Sequence, residues 1–308
     1  MERELISHLR TLLPTNEHVV IGPGDDAAVL RTTADANIVV TTDALTDGVD
    51  FVIAHQDVVR VGHKALAVNL SDLAAMAARP VAALVSLVLP STDGDRIARQ
   101  LYEGMSPLAE RFKLAIVGGD TNSWDGPLAI SITAIGETTF KGPLTRSGAR
   151  PGDMLLVTGE LGGSILGKHL DFTPRVEEAL HLHEKYELSA GIDISDGLSR
   201  DLHHLCAESG CGAVVRLDSI PVSSAADRLA ATDRSGKTAN EHAFSGGEDF
   251  ELLFATSREV ADRILADQPL PVPISSIGQF IEKQEVLALH ADGTRTTLPN
   301  TGWEHHIS

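Results

Sequence analysis

The sequence predicts a fold of mixed layers, α/β or α+β, in two domains. Three observations carry that expectation. Apolar β-branched runs alternate with amphipathic stretches along the whole chain. A cluster of proline and glycine, Ser147-Gly148-Ala149-Arg150-Pro151-Gly152-Asp153, breaks both periodicities near the middle. The 308 residues are enough for two cores of common size. The expected domains are 1–148 and 149–308.

Taken in order, residues 2–13 read as a short amphipathic helix, and Ile38 to Thr42 as a buried strand. Residues 57–78 read as a long helix with Leu66, Leu70, Leu73 and Ala77 on one stripe. Asn69 and Asp72, three apart, share a neighbouring face of it. Ala82 to Leu89 is a strand closed by Pro90, 93–113 a helix, and Leu114 to Val117 a strand running into Gly118-Gly119-Asp120. Leu128 to Ile135 is another strand. Past the break, Met154 to Thr158 is a strand, and a glycine-rich turn at 159–164 leads into a helix. Then follow a helix from Leu198 to about Ser209, strands Ala213 to Leu217 and Glu251 to Ala255, a helix near 257–267, and strands near 274–278 and 285–290.

Composition narrows the function. The net charge is −18, from 25 basic and 43 acidic residues, which disfavours nucleic acid and anionic membrane as partners. The two cysteines, Cys206 and Cys211, have no second cysteine or histidine pair spaced for zinc. No apolar run follows a basic start, and Val81 to Leu89 is too short to span a bilayer, so the expected location is cytoplasmic.

The chemistry lies in five acidic motifs. They are Gly24-Asp25-Asp26, Thr41-Thr42-Asp43, Ser71-Asp72, Gly118-Gly119-Asp120 and Asp193-Ile194-Ser195-Asp196-Gly197. Each has a bland reading: a β-turn at 25–26, a strand-end cap at Asp43, a helix N-cap by Ser195 or Asp196. Asp72 is harder to dismiss, because an aspartate in mid-helix among apolar residues needs a partner. Together they form an oxygen-only donor set, which suits magnesium, manganese or calcium. Carboxylates crowded in a low dielectric either hold protons or recruit cations, and cations in turn hold polyphosphate. The turn at 159–164 lacks the Gly-Lys-Ser/Thr ending of a Walker A loop, and Gly22-Pro23-Gly24 lacks the dinucleotide-binding spacing. Ser245-Gly246-Gly247-Glu248-Asp249-Phe250 is a further acidic glycine turn, as consistent with a plain turn as with a site. Arg146 is a plausible phosphate contact, and Trp303 reads either as a satellite core residue or as a stacking platform.

The ordered set resembles the thiamine-monophosphate kinases, in the superfamily of aminoimidazole ribonucleotide synthetase. The resemblance runs through Gly-Asp-Asp-Ala-Ala at 24–28, Thr-Thr-Asp-Ala-Leu-Thr-Asp-Gly-Val at 41–49 and 64–76. It continues through Gly-Gly-Asp-Thr at 118–121, Thr-Arg-Ser-Gly-Ala at 145–149, Asp-Ile-Ser-Asp-Gly-Leu at 193–198 and Ser-Gly-Gly-Glu-Asp-Phe-Glu-Leu at 245–252. It implies ATP-dependent phosphorylation of thiamine monophosphate to the diphosphate by direct in-line transfer, with several magnesium ions. It also implies a homodimer whose N-terminal halves build a shared β-barrel, each with a C-terminal α/β half. By motif, Asp26, Thr41, Thr42, Asp43, Asp72, Asp120, Asp193 and Asp196 match metal positions. Tyr102, Gly119, Asp120, Arg146 and Ser195 match ATP contacts, and Glu248 and Trp303 match substrate contacts. Asp50 stands at a further substrate position where the family usually has histidine, and a basic residue is missing from Leu170-Asp171-Phe172-Thr173-Pro174-Arg175. No general base is implied. The alternatives are a relative acting on a purine-precursor amide, or a non-catalytic nucleotide- or metal-binding protein.

Overall fold

The computed structural model describes residues 14–21 and 29–304. The predicted helix 2–13 and the motif containing Asp26 lie outside them. By contacts the chain divides into two units, Met1–Leu73 with Ala78–Pro143, and Ala74–Ala77 with Leu144–Ser308.

The first unit holds the small ladder β1 (Val19–Ile21) and β2 (Val29–Leu30). Its main sheet is built from β3 (Ile38–Thr46), β4 (Ala78–Pro90), β5 (Ala115–Trp124) and β6 (Ala129–Thr138). The order is β3-β6-β4-β5, antiparallel except for the β4/β5 pair, which is parallel. Among the described residues this sheet is open, with edges at β3 and β5. Helix α1 (Val58–Ala75) precedes β4, and α2 (Gly94–Arg111) makes the crossover from β4 to β5. The helices meet backbone to backbone. A Cβ on Gly62 would lie 2.1 Å from Leu101 O, and one on Gly104 would lie 1.8 Å from Val59 O.

Three boundaries differ from the sequence expectation. The helix predicted to 78 stops at Ala75, because Ala77 turns left-handed (φ 49°) and Ala78 already pairs with Thr138. Strand β3 runs four residues past Thr42, so Asp43 is inside a strand and does not end one. β5 likewise continues to Trp124, so Asp120 is also within a strand, held along the edge of β4.

The second unit is a seven-stranded sheet. Its strands are β7 (Met154–Thr158), β8 (Leu188–Asp193), β9 (Gly212–Arg216), β10 (Leu252–Thr256), β11 (Ile274–Ile281), β12 (Val286–Leu289) and β13 (Arg295–Thr297). They run in the order β13-β12-β9-β11-β7-β10-β8, antiparallel except for β12/β9. Alternate residues point to one core: Leu155 and Val157, Ala190 and Ile192, Ala213 and Val215, Leu253 and Ala255. The helices are α3 (Lys168–Asp171), α4 (Val176–Lys185), α5 (Leu198–Ser209), α6 (Ser224–Thr232), α7 (Ala239–Ser245) and α8 (Arg258–Asp267). Leu198, Leu202, Leu205 and Cys206 of α5 pack on that core. After Gly163 the predicted single helix is a 3-10 turn, Ser164–Leu166, and the short α3. Strand β8, which carries Asp193, was not expected. Its Ser189 and Gly191 interrupt the apolar run, and pairing with β10 makes it a strand.

Candidate functional site

In the first unit, β3 and α1 bring two of the predicted carboxylates together. Thr41 Oγ1 donates to Asp72 Oδ2 at 2.5 Å. Asp43, two residues along the same face of β3, is half-buried. Burial first, then Asp72 and Asp50, push its carboxyl up to about 7. Thr42 is on the other face and hydrogen-bonds Ile132 O and receives Thr133 Oγ1, both at 3.1 Å. Asp50 serves the local backbone. Its Oδ2 accepts from Thr46 N at 2.7 Å and closes the turn after β3. Its carbonyl takes the buried Lys64 Nζ at 2.7 Å.

Asp120 is exposed on β5, paired with Ser86. It occupies the row next to that of Asp43, which runs through Ile132 and Val85 to Gly119. Gly119 (φ 154°) accepts no side chain, since a Cβ would lie 1.8 Å from Val85 O; the close approach there is by the neighbouring strand. Beside this strand end a cleft of about 620 Å³ opens, lined among others by Asp93, Gly94, Thr121 and Asn122. It faces the start of α2 at the carboxyl ends of two parallel strands, the usual place for a ligand in such a crossover. Tyr102 is in the core face of α2, only 4% exposed, and burial pushes its hydroxyl up to about 12.

The second unit gathers three motifs around one loop. β8 delivers Asp193 and the chain turns through Ile194, Ser195 and Asp196 into α5. The glycine turn at 245–250 pairs with that loop through main-chain atoms. Glu248 N donates to Ser195 O at 2.6 Å, Phe250 N to Ile194 O at 2.7 Å, and Ile194 N to Glu251 O at 2.8 Å. Glu248 and Phe250 both take positive φ, 63° and 50°, so side chains stand where glycine is cheaper. Trp303 N donates to Asp196 O at 2.9 Å, and its indole is 52% exposed, which excludes a satellite core. Arg146 is exposed nearby in sequence to the interdomain turn, and its carbonyl accepts from Ser209 Oγ at 2.9 Å.

Sequence reasoning missed the groups that hold this arrangement. Neither Ser195 nor Asp196 caps α5; Gly197 is the cap residue and no side chain of its own serves. Instead Asp201 Oδ2 accepts from both Asp196 N and Gly197 N at 3.1 Å. Burial, then Asp193 and Asp196, push Asp201 up to about 8. An acid in the first turn of a helix was the available signal. On the far side of the turn, Asp249 accepts from Gly162 N at 2.8 Å and from Ser164 Oγ at 2.6 Å. Burial pushes Asp249 up to about 6, against the opposing effect of Lys168. Glu251 is buried and receives Arg175 Nε and Nη2, Lys168 Nζ and Thr158 Oγ1, each at 2.8 Å. Phe250 stacks on Phe172 at 3.9 Å between centroids. Arg175, in the segment that departs from the family pattern, is therefore committed to Glu251.

The donor types suit magnesium. Asp43 with Asp72, and Asp201 with Asp193 and Asp196, are oxygen-only groups; burial first, and the neighbouring carboxylates second, raise the pKa of Asp43 and Asp201. Among the described residues no group of three or more His, Cys, Asp or Glu is placed to hold a metal ion. Magnesium takes one or two carboxylates and fills its other positions with water and substrate oxygens.

An open mixed sheet, a second seven-stranded sheet with helices, and a glycine turn seated on an Asp-Ile-Ser-Asp-Gly loop place the chain among AIR synthase related proteins. The N-terminal domain model of that family matches residues 24–138 and the C-terminal domain model residues 150–289. A thiamine-monophosphate kinase of Rhodopirellula baltica is 43% identical, covering 91% of this chain and 90% of its own. The crystal structure of thiamine-monophosphate kinase from Stenotrophomonas maltophilia K279a is 34% identical, with a TM-score of 0.79, covering 94% of this chain and 95% of that one. The structure of AaThiL complexed with AMPPCP and TMP is 30% identical, with a TM-score of 0.78, covering 90% of this chain and 89% of that one. The chain belongs to the thiamine-monophosphate kinase family.

Proposed function

We propose that the protein phosphorylates thiamine monophosphate with ATP, giving thiamine diphosphate. The observation that carries this, beside the family, is the joining of the 193–197 loop, the 245–250 turn and Trp303 by main-chain hydrogen bonds. One short segment then holds the half-buried Asp196 beside the buried Asp193 for cations, Ser195 for a phosphate, and Glu248 with an indole for an aromatic cation. The exposed indole offers the face that a thiazolium or pyrimidine ring stacks on.

Asp43, Asp72 and Asp120 of the first unit, and Asp193 and Asp196 of the second, are the residues we assign to magnesium, with Asp26, Thr41 and Thr42 from the sequence pattern. Bound magnesium supplies positive charge against the phosphates of ATP. The cleft beside Asp120 and Gly119 supports nucleotide binding by the first unit. In the second unit, Arg146 and Ser195 are the residues that the sequence pattern assigns to ATP. Tyr102 contributes to packing of α2, which supports the cleft wall. Asp50 is occupied with Thr46 N, which shapes the turn after β3.

The acceptor is itself a phosphate whose second pKa is about 6, so near neutral pH its oxygen is already an anion. No side chain has to remove a proton. What the protein must do is orient two anions in line and offset their repulsion. The N-terminal unit, 1–148 in this reading, also supplies the dimer contact. Ile38, Val40 and Leu84 are exposed on its open sheet, and a second copy would cover them by closing a β-barrel.

The test is direct. The purified protein is incubated with ATP, magnesium and thiamine monophosphate, and products are read by mass. Thiamine diphosphate should form in step with ADP and should vanish with a chelator. ADP without the diphosphate would overturn the assignment.

A further inference from the structure

Trp303 reaches the site on a strap, 299–304, with no helix or strand of its own. What seats it is the first turn of α5. Ser199, fully buried, donates its hydroxyl to Pro299 O at 2.6 Å and accepts from Thr301 N at 3.4 Å. Arg200 Nη2 donates to Glu304 Oε2 at 3.1 Å. Gly302 (φ 159°) crosses so closely that a Cβ would lie 2.4 Å from Asp196 O and 2.9 Å from Arg200 Cβ. Trp303 N then bonds Asp196 O. Arg200 is an odd residue for this place. A cation in the first turn opposes the helix dipole, and its Nε is buried without an acceptor. Helix stability gives no reason for it, whereas the strap does: the guanidinium lies under Gly302, its Nε 3.3 Å from where a Cβ would be, and reaches past it to Glu304.

We infer that Arg200 is a positioning residue for the acceptor. With Ser199 and the bare Gly302, it pins both sides of Trp303 and fixes the indole beside the Asp193–Asp196 loop. It acts on the acceptor alone, through Trp303, and leaves the nucleotide and the transfer step untouched. The inference rests on the reading of Trp303 as an acceptor contact.

The experiment uses Arg200→Gln, Arg200→Lys and Gly302→Ala in the full chain. Arg200→Gln should raise KM for thiamine monophosphate about tenfold, a difference of about 1.4 kcal/mol, with kcat and KM for ATP nearly unchanged. Arg200→Lys should recover part of the loss. Gly302→Ala, which displaces the strap by a different route, should reproduce the KM effect if Arg200→Gln fails to fold. The chain has two tryptophans, so in a Trp124→Phe background Trp303 is the sole emitter. Its quenching by acrylamide should rise in Arg200→Gln and Gly302→Ala. Unchanged quenching, or KM values for both substrates rising together with a fall in kcat, would overturn the inference. If the wild type forms no thiamine diphosphate, the functional reading fails, and the quenching contrast still decides whether Arg200 seats the strap.

Discussion

Replacing Asp43 by asparagine should stabilise the metal-free protein while weakening its response to magnesium. Asp43 is held near Asp72 and Asp50, and its carboxyl is raised from 3.8 to about 7, by burial first and by those neighbours second. A group whose folded pKa lies above its unfolded value binds its proton more tightly when folded. Its favourable contribution is complete below pH 4 and is lost as pH rises through 7. Full ionisation therefore costs the folded state at most about 4 kcal/mol, at 1.36 kcal/mol per pH unit. Asparagine carries no such cost. The assay is thermal unfolding of wild type and Asp43→Asn from pH 6 to 9, in chelator and in magnesium. In chelator the variant should melt several degrees higher, and the gap should widen with pH. In magnesium the wild type should regain most of the difference, because a cation rewards the ionised carboxylate. Equal melting temperatures at every pH, or equal gains in magnesium, would refute the crowding of Asp43 with Asp72.

Two further outcomes follow from packing. Arg175→Met removes the bidentate partner of the buried Glu251, leaving only Lys168 to balance it; the second unit should lose about 3 kcal/mol in urea unfolding, and Glu251→Gln added to it should recover part of that. Gly104→Ala drives a methyl group into Val59 O across the α1–α2 contact, so the first unit should lose about 3 kcal/mol or more, a loss that circular dichroism during denaturation measures directly.

The candidate carboxylates were legible because acids beside glycine, serine and threonine are costly to place without a partner. Asp43, Asp72, Asp193 and Asp196 stand out on that ground, and the structure sets Asp43 near Asp72, and Asp201 near Asp193 and Asp196. Asp201 was missed because an acid in a first helical turn is common, and only the cradle at 196–197 gives it a purpose. The helix end at Ala77 was misjudged because alanine gives no sign of a left-handed turn; the pairing of Ala78 with Thr138 imposes it. Strand β8 was missed for a related reason. Its glycine and serine carry no strand preference, and its place is fixed by hydrogen bonds to β10. Tyr102, an ATP contact by motif match, lies on the buried face of α2. Local pattern identifies which residues are chemically unusual. Tertiary pairing decides which faces they occupy.

The loop at 193–197, the turn at 245–250 and the strap at 299–304 are stitched to one another through carbonyls and amides. Those bonds are made by the main chain of Ser195, Glu248 and Trp303. A mutational path that altered those three positions would redraw the recognised ring while the frame beneath it stayed in register. Such a chassis lets a lineage, or a designer, change clients without refolding the machine.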